Sequence, residues 1–176
     1  MRADLTATEH DQESFDRYVY GSAEVVGLMC LRAFLHGEGR SAEETAHLEK
    51  GACALGAAFQ KVNFLRDLAA DFETLGRSYF PGVSVGSFTE QDKARLLDDI
   101  DADLAVSAAS LPGLPASSRK AVALAQSLFA ELAKRLRATP ASELVRARVR
   151  VPNPVKARLA LAAALGSVPQ PQGHRK

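Results

Sequence analysis

Apolar positions recur along most of this chain at the three-to-four-residue spacing of helices that bury one face. From about Ser14 to Leu35 the repeat runs through Val25, Val26, Leu28, Met29, Leu31 and Leu35, and Gly37 follows as a C-terminal cap. Ser41 with Glu44 has the form of a capping box. From there the pattern continues unbroken to about Leu75, where Gly76 can stop it. "GRSYFPGVSVGSF" reads as a loop, from its glycines, its serines and Pro81. Thr89 opens a third helix, running to about Ala109, and "LPGLPASS" is a second loop. A fourth helix spans about Ser118 to Leu136. Beyond Pro140 the pattern is less regular, until a last helix with Asn153 as N-cap, Pro154 as its first residue and Gly166 at its end. No internal repeat is visible.

Composition sharpens this into an all-α fold. The 176 residues are 47% hydrophobic yet only 6% aromatic, without tryptophan, and alanine and leucine dominate, as in helical proteins. The length suits one domain with a real core. A net charge of +1 points to no nucleic acid. The charge is uneven, however: Leu132 to Lys176 holds ten Lys or Arg against one acid, Glu143. That stretch reads as a solvated basic tail, frayed over 167–176, or as an attraction to an anionic membrane surface or to diphosphates. Cys30 and Cys53 sit in apolar helical patterns and read as small core residues of a protein in a reducing cytoplasm. No apolar run approaches the ~20 residues of a membrane span, and "MRADLTATEHDQESFD" lacks a signal-peptide core. The expectation is a cytoplasmic protein with peripheral membrane contact; the oligomeric state is not legible.

Two features call for a chemical reading. Small residues cluster in "YGSAEVVG" and "GACALGAAF". A helical glycine costs about 1 kcal/mol against alanine, so another backbone or a ligand is expected to approach closely there. In addition, Gln60, Asn63, Asp67 and Asp71 fall on one stripe of a helix turning about 100° per residue. Two carboxylates one turn apart repel. Arg66 and Arg77 can offset that repulsion as salt bridges, and Mg²⁺, which prefers a few carboxylates plus water and phosphate oxygens, can do so better. The spacing alone equally describes a solvated face. Asp98, Asp99, Asp101 and Asp103 in the third helix, with no amide or arginine beside them in sequence, read as such a face.

The order of residues goes further. "AFQKVNFLRDLAADFETLGRSYFP" resembles the second aspartate motif of the squalene/phytoene synthase family, matched by Gln60, Asn63, Leu65, Arg66, Asp67, Asp71, Gly76, Arg77, Tyr79 and Pro81. "YVYGSAEVVGLMCLRAF" is similar to the family's tyrosine-rich, glycine-punctuated helix, through Tyr18, Tyr20, Gly21, Gly27, Leu28 and Met29, and "RVRVPNPVKARLALAAAL" to the ending of bacterial members. The resemblance implies an isoprenoid synthase-type helical bundle around a deep apolar cavity. It implies Mg²⁺-dependent head-to-head condensation of two prenyl diphosphates. The product is expected to be phytoene, from two geranylgeranyl diphosphates; squalene, which needs NADPH, or hydroxysqualene is the alternative. In the roles it implies, Asp67 and Asp71 bind Mg²⁺, and Arg66, Arg77 and Tyr79 meet the diphosphate. Gln60 and Asn63 sit just below the metals, and Tyr20, Gly21 and Gly27 line or narrow the cavity, with Tyr20 also facing the carbocation.

One expected part is absent. The family's first aspartate motif has no counterpart, and "MRADL", with Asp4 and Leu5, resembles a segment from the middle of the family's chain. The resemblance therefore implies a partial synthase domain over 1–166, its C-terminal two-thirds, inactive or poorly soluble alone. A non-catalytic helical binding protein that retains half of the site is the competing reading.

Overall fold

A computed structural model of the chain describes residues 10–70 and 79–166, and every regular element among them is helical. Helix α1 (Gln12–Val19) starts where the Asp11 carboxylate accepts from the Ser14 amide at 2.8 Å. It passes into a five-residue π turn (Tyr20–Glu24) and then α2 (Val25–Phe34). The predicted first helix is thus real but interrupted. Within the π turn the Ser22 hydroxyl donates to the Tyr18 carbonyl at 2.7 Å, a back-bond that bends helices.

The capping box of Ser41 and Glu44 forms and starts α3 (Ala42–Arg66), 25 residues long. The expected run to Leu75 does not hold in one piece. Asp67 leaves the helix at φ −100°, ψ 8°, and helical turns resume over 68–70. Asp71, Gly76 and Arg77 lie outside the described residues, as do Asp4, Leu5 and the tail 167–176.

Thr89 and Asp92 make a second capping box for α4 (Glu90–Ser110), which ends in a 3-10 turn (Leu111–Gly113). Helix α5 (Ala116–Ala138) begins two residues before the predicted Ser118, because the Pro115 carbonyl accepts from the Ser118 and Arg119 amides. A short α6 (Ala141–Leu144), hidden in the irregular region, is fixed by Glu90, whose carboxylate accepts from the Ala141 amide at 2.6 Å. Helix α7 (Asn153–Ala164) starts one residue earlier than expected: Pro152 is its N-cap, and Asn153 and Pro154 are its first two residues.

Helix α3 is the axis of the bundle. The π turn and helices α1, α2, α4 and α5 all pack on it, α4 most extensively, while α5 also lies on α4 and α7 on α5. The main core gathers Phe15, Val19, Val62, Phe64, Leu65, Leu97, Ile100 and Leu136; a smaller one, at the other end of α3, gathers Leu31, Leu48, Leu111, Leu114 and Ala123.

Two expectations about single residues are corrected here. The acids of α4 do have basic company, supplied by neighbouring helices. Lys61 of α3 reaches Asp99 at 2.6 Å and Asp103 at 2.8 Å, and Arg137 of α5 reaches Asp98 and Asp101, both at 2.8 Å. The cysteines are free but not core residues: Cys30 is exposed, and Cys53 is half-buried with its thiol against the Glu24 carboxylate.

Candidate functional site

The smaller core does not close. Between α2, α3, α4 and α5 it leaves a cavity of about 460 Å³, walled by residues such as Val26, Gly27, Leu48, Ala52, Leu55 and Phe59. Three serines also face it, but their hydroxyls are committed. Ser22 donates to the Tyr18 carbonyl, Ser107 to the Gln126 side-chain carbonyl at 3.1 Å, and Ser110 to the Ser107 carbonyl at 2.8 Å. The wall has almost nothing left with which to recognise a polar ligand, and it suits a hydrocarbon.

Glycines set the width of this space. A Cβ on Gly27 would stand 2.4 Å from the Ala52 carbonyl oxygen, and one on Gly56 2.6 Å from that of Ala23. The segment from the π turn into α2 therefore crosses α3 at backbone contact. Both glycines line the cavity as well, so the approach of a backbone and the lining of a cavity, expected separately, coincide.

Above the cavity, α3 turns polar. Phe59 is its last wall residue. Asn63 lies one turn on, rotated by about 40°, and Asp67 two turns on, about 12 Å up the axis. Gln60 and Asn63 are half-buried. At the helix end Arg66 embraces the Asp67 carboxylate, Nε to Oδ1 at 3.0 Å and Nη2 to Oδ2 at 2.6 Å. A second guanidinium joins it from the loop before α7: Arg148 Nε stands 2.7 Å from Oδ1 and Nη2 3.4 Å from Oδ2. The Asp67 side chain is only 22% exposed, so it does not face bulk water. Arg148 was not among the sequence candidates; its one signal was the alternating "RARVR" run from Arg146 to Arg150, which carried no mark of what it would face.

The aromatic candidates separate. Tyr79 stacks on Phe64 at 4.1 Å and 8° and also meets Tyr18 and His10, in a cluster one turn below Asp67. Tyr20 opens the π turn with 51% of its surface exposed, and Gly21 faces open space; neither belongs to the cavity wall. Of the predicted constellation, α3 thus brings together Gln60, Asn63, Arg66 and Asp67 above a wall that includes Gly27.

Whether these residues fit Mg²⁺ is a question of donors. No group of three or more His, Cys, Asp or Glu among the described residues is arranged to hold a metal. Asp67 supplies a hard oxygen donor of the kind Mg²⁺ takes, and the two arginines beside it suit the diphosphate that accompanies such an ion. Among the described residues this amounts to one carboxylate of the type Mg²⁺ takes, both of its oxygens held by guanidinium groups.

A second titratable cluster lies on the other side of α3. Burial raises the Glu24 carboxyl above its ordinary value, partly offset by the Cys53 thiol, and burial likewise raises Asp103, against its bond to Lys61. Burial opposes the charge on Lys61, but its bonds to Asp103 and Asp99 prevail and raise its pKa.

The family model for squalene/phytoene synthases matches residues 1–154. A 15-cis-phytoene synthase from Enterobacter agglomerans is 32% identical over a stretch covering 66% of this chain and 42% of that enzyme, so the match spans less than half the length of this relative. With an all-helical bundle, an apolar cavity and the Asn63–Arg66–Asp67 rim in place, the chain belongs to the squalene/phytoene synthase family.

Proposed function

We propose that the protein serves head-to-head condensation of prenyl diphosphates, with geranylgeranyl diphosphate as substrate and phytoene as product. The observation that carries this reading is a cavity with its serine hydroxyls already spent and, about 12 Å further along the same helix, a carboxylate between two guanidinium groups. A prenyl diphosphate has that polarity, a long apolar chain ending in a concentrated negative charge. The phytoene synthase relative favours this product over squalene or hydroxysqualene.

In this reading the wall from Val26 to Phe59 takes the prenyl chain and excludes water from it. Arg66 and Arg148 pair with diphosphate oxygens, which their planar forks match. Asp67 and Asp71 hold Mg²⁺, which supplies charge neutralisation to the leaving diphosphate. Arg77 and Tyr79 join on the diphosphate side, and Gln60 and Asn63 support the metal from below.

The test is binding of a thio analogue of geranylgeranyl diphosphate, by calorimetry, with and without Mg²⁺. Binding is expected to need Mg²⁺ and to weaken about tenfold or more in Asp67→Asn and in Asp71→Asn, the loss of roughly one charge-assisted contact. Geranylgeraniol binding as tightly as the analogue, with no Mg²⁺ effect, would sink the reading in favour of a binding protein for neutral lipids.

A further inference from the structure

Helix α7 is apolar on two sides. Val155, Leu159, Ala162 and Ala163 turn toward the bundle, where the helix packs on α5. On the opposite side Ala157, Leu161, Ala164 and Leu165 are exposed, Leu161 at 63% and Leu165 at 78%. These leucines account for two of the five most exposed large apolar side chains among the described residues. A helix that is apolar all round has a second surface to bury.

The charges around that face indicate what covers it. At about 100° per residue, Arg158 and Lys156 fall at the two seams between the inner and outer faces, and both are exposed. From Arg146 to Arg158 the chain carries five Lys or Arg and no acid. Arg148 is committed to Asp67, and the other four remain. A second copy of the chain would bring the same positive charges against these. An anionic lipid surface is attracted to them, and its acyl chains accept the leucines. Twelve residues give a helix about 18 Å long, too short for the ~30 Å hydrocarbon core, so α7 lies on a bilayer rather than across it.

We infer that the outer face of α7 docks the protein on an anionic membrane surface, with Leu161 and Leu165 in the headgroup–acyl boundary and Lys156 and Arg158 on lipid phosphates. This does not depend on the proposed reaction. None of these four residues belongs to the site around Asp67, so a failure here leaves that reading untouched.

The experiment is co-sedimentation of the whole chain with vesicles of phosphatidylcholine alone and of phosphatidylcholine mixed with phosphatidylserine. Wild type is expected to bind the mixed vesicles and to come off at high salt. Leu161→Asp/Leu165→Asp should abolish binding. Lys156→Gln/Arg158→Gln should weaken it about twenty-five-fold, from roughly a fivefold contribution per basic residue, and remove the preference for phosphatidylserine. Helical content by circular dichroism should be the same in all three. Binding indifferent to the leucine substitutions, or no binding by well-folded wild type, overturns the inference. So does a wild-type dimer that the leucine substitutions convert to monomer, which would make a second copy the occupant.

Discussion

Asp67 is the residue on which the two readings of the sequence diverged: solvated acid or working ligand. Its setting answers part of that question, because two guanidiniums hold a carboxylate that is only 22% exposed. Half-exposed ion pairs are worth at most about 1 kcal/mol, so Arg148→Ala should barely change the urea midpoint. It should nevertheless weaken binding of a prenyl diphosphate about tenfold, by removal of one charged contact. A large loss of stability with unchanged binding would make Arg148 a structural strap instead. Glu24 allows a test by pH. Burial raises its carboxyl above the ordinary 4.5. The folded state therefore holds its proton more tightly than the unfolded one, and at neutral pH the ionised group costs stability. Glu24→Gln, whose amide oxygen can still accept from Cys53, should melt higher than wild type at pH 7. That advantage should fade as the pH falls through the raised value and vanish below about 4.5. An advantage constant across this range would rule out the buried charge as its cause.

At the scale of elements, sequence reading succeeded where local chemistry decides and failed where distant contacts do. The starts of α3 and α4 were legible because Ser41/Glu44 and Thr89/Asp92 satisfy their own helix ends. Helix α6 was invisible because what fixes it, the Glu90 carboxylate, lies some fifty positions away in the chain. The stop at Asp67 was not legible either, and the Arg148 that meets its side chain comes from another part of the chain. The glycine clusters were legible as sites of close approach but not as to which glycine served which purpose. Two substitutions separate them. Gly56→Val pushes a side chain into the Ala23 backbone, which cannot move aside as a flexible side chain would. It should cost about 2–3 kcal/mol in urea unfolding. Gly21→Ala, with nothing within 4 Å, should be neutral or slightly stabilising. Equal costs at the two positions would mean that the helix crossing is not set by glycine contact.

For the molecule as a whole, the telling feature is a core left open. Helices α1, α3, α4 and α5 pack tightly around Leu65, Leu97 and Leu136, yet about 460 Å³ is left open beside Leu48 and Leu111. A void lined by apolar groups forfeits their contacts and costs stability, and is retained where function needs the space. Ala125 faces this cavity from the middle of α5, at a helical position where leucine is nearly as favourable as alanine. Ala125→Leu adds three methylene-sized groups of buried apolar surface without moving a backbone. The protein should gain about 1–2 kcal/mol, somewhat less than full transfer of those groups would give. On the proposed reading, the same side chain occupies the room of the prenyl chain. Wild type should therefore show a rise in melting temperature when the geranylgeranyl thio analogue is added, and the variant should start higher but rise less. Stability and ligand response moving in opposite directions is the signature of a cavity kept for a ligand. If Ala125→Leu raised stability and left the ligand-induced shift intact, the cavity would be a packing defect and the hydrocarbon would bind elsewhere.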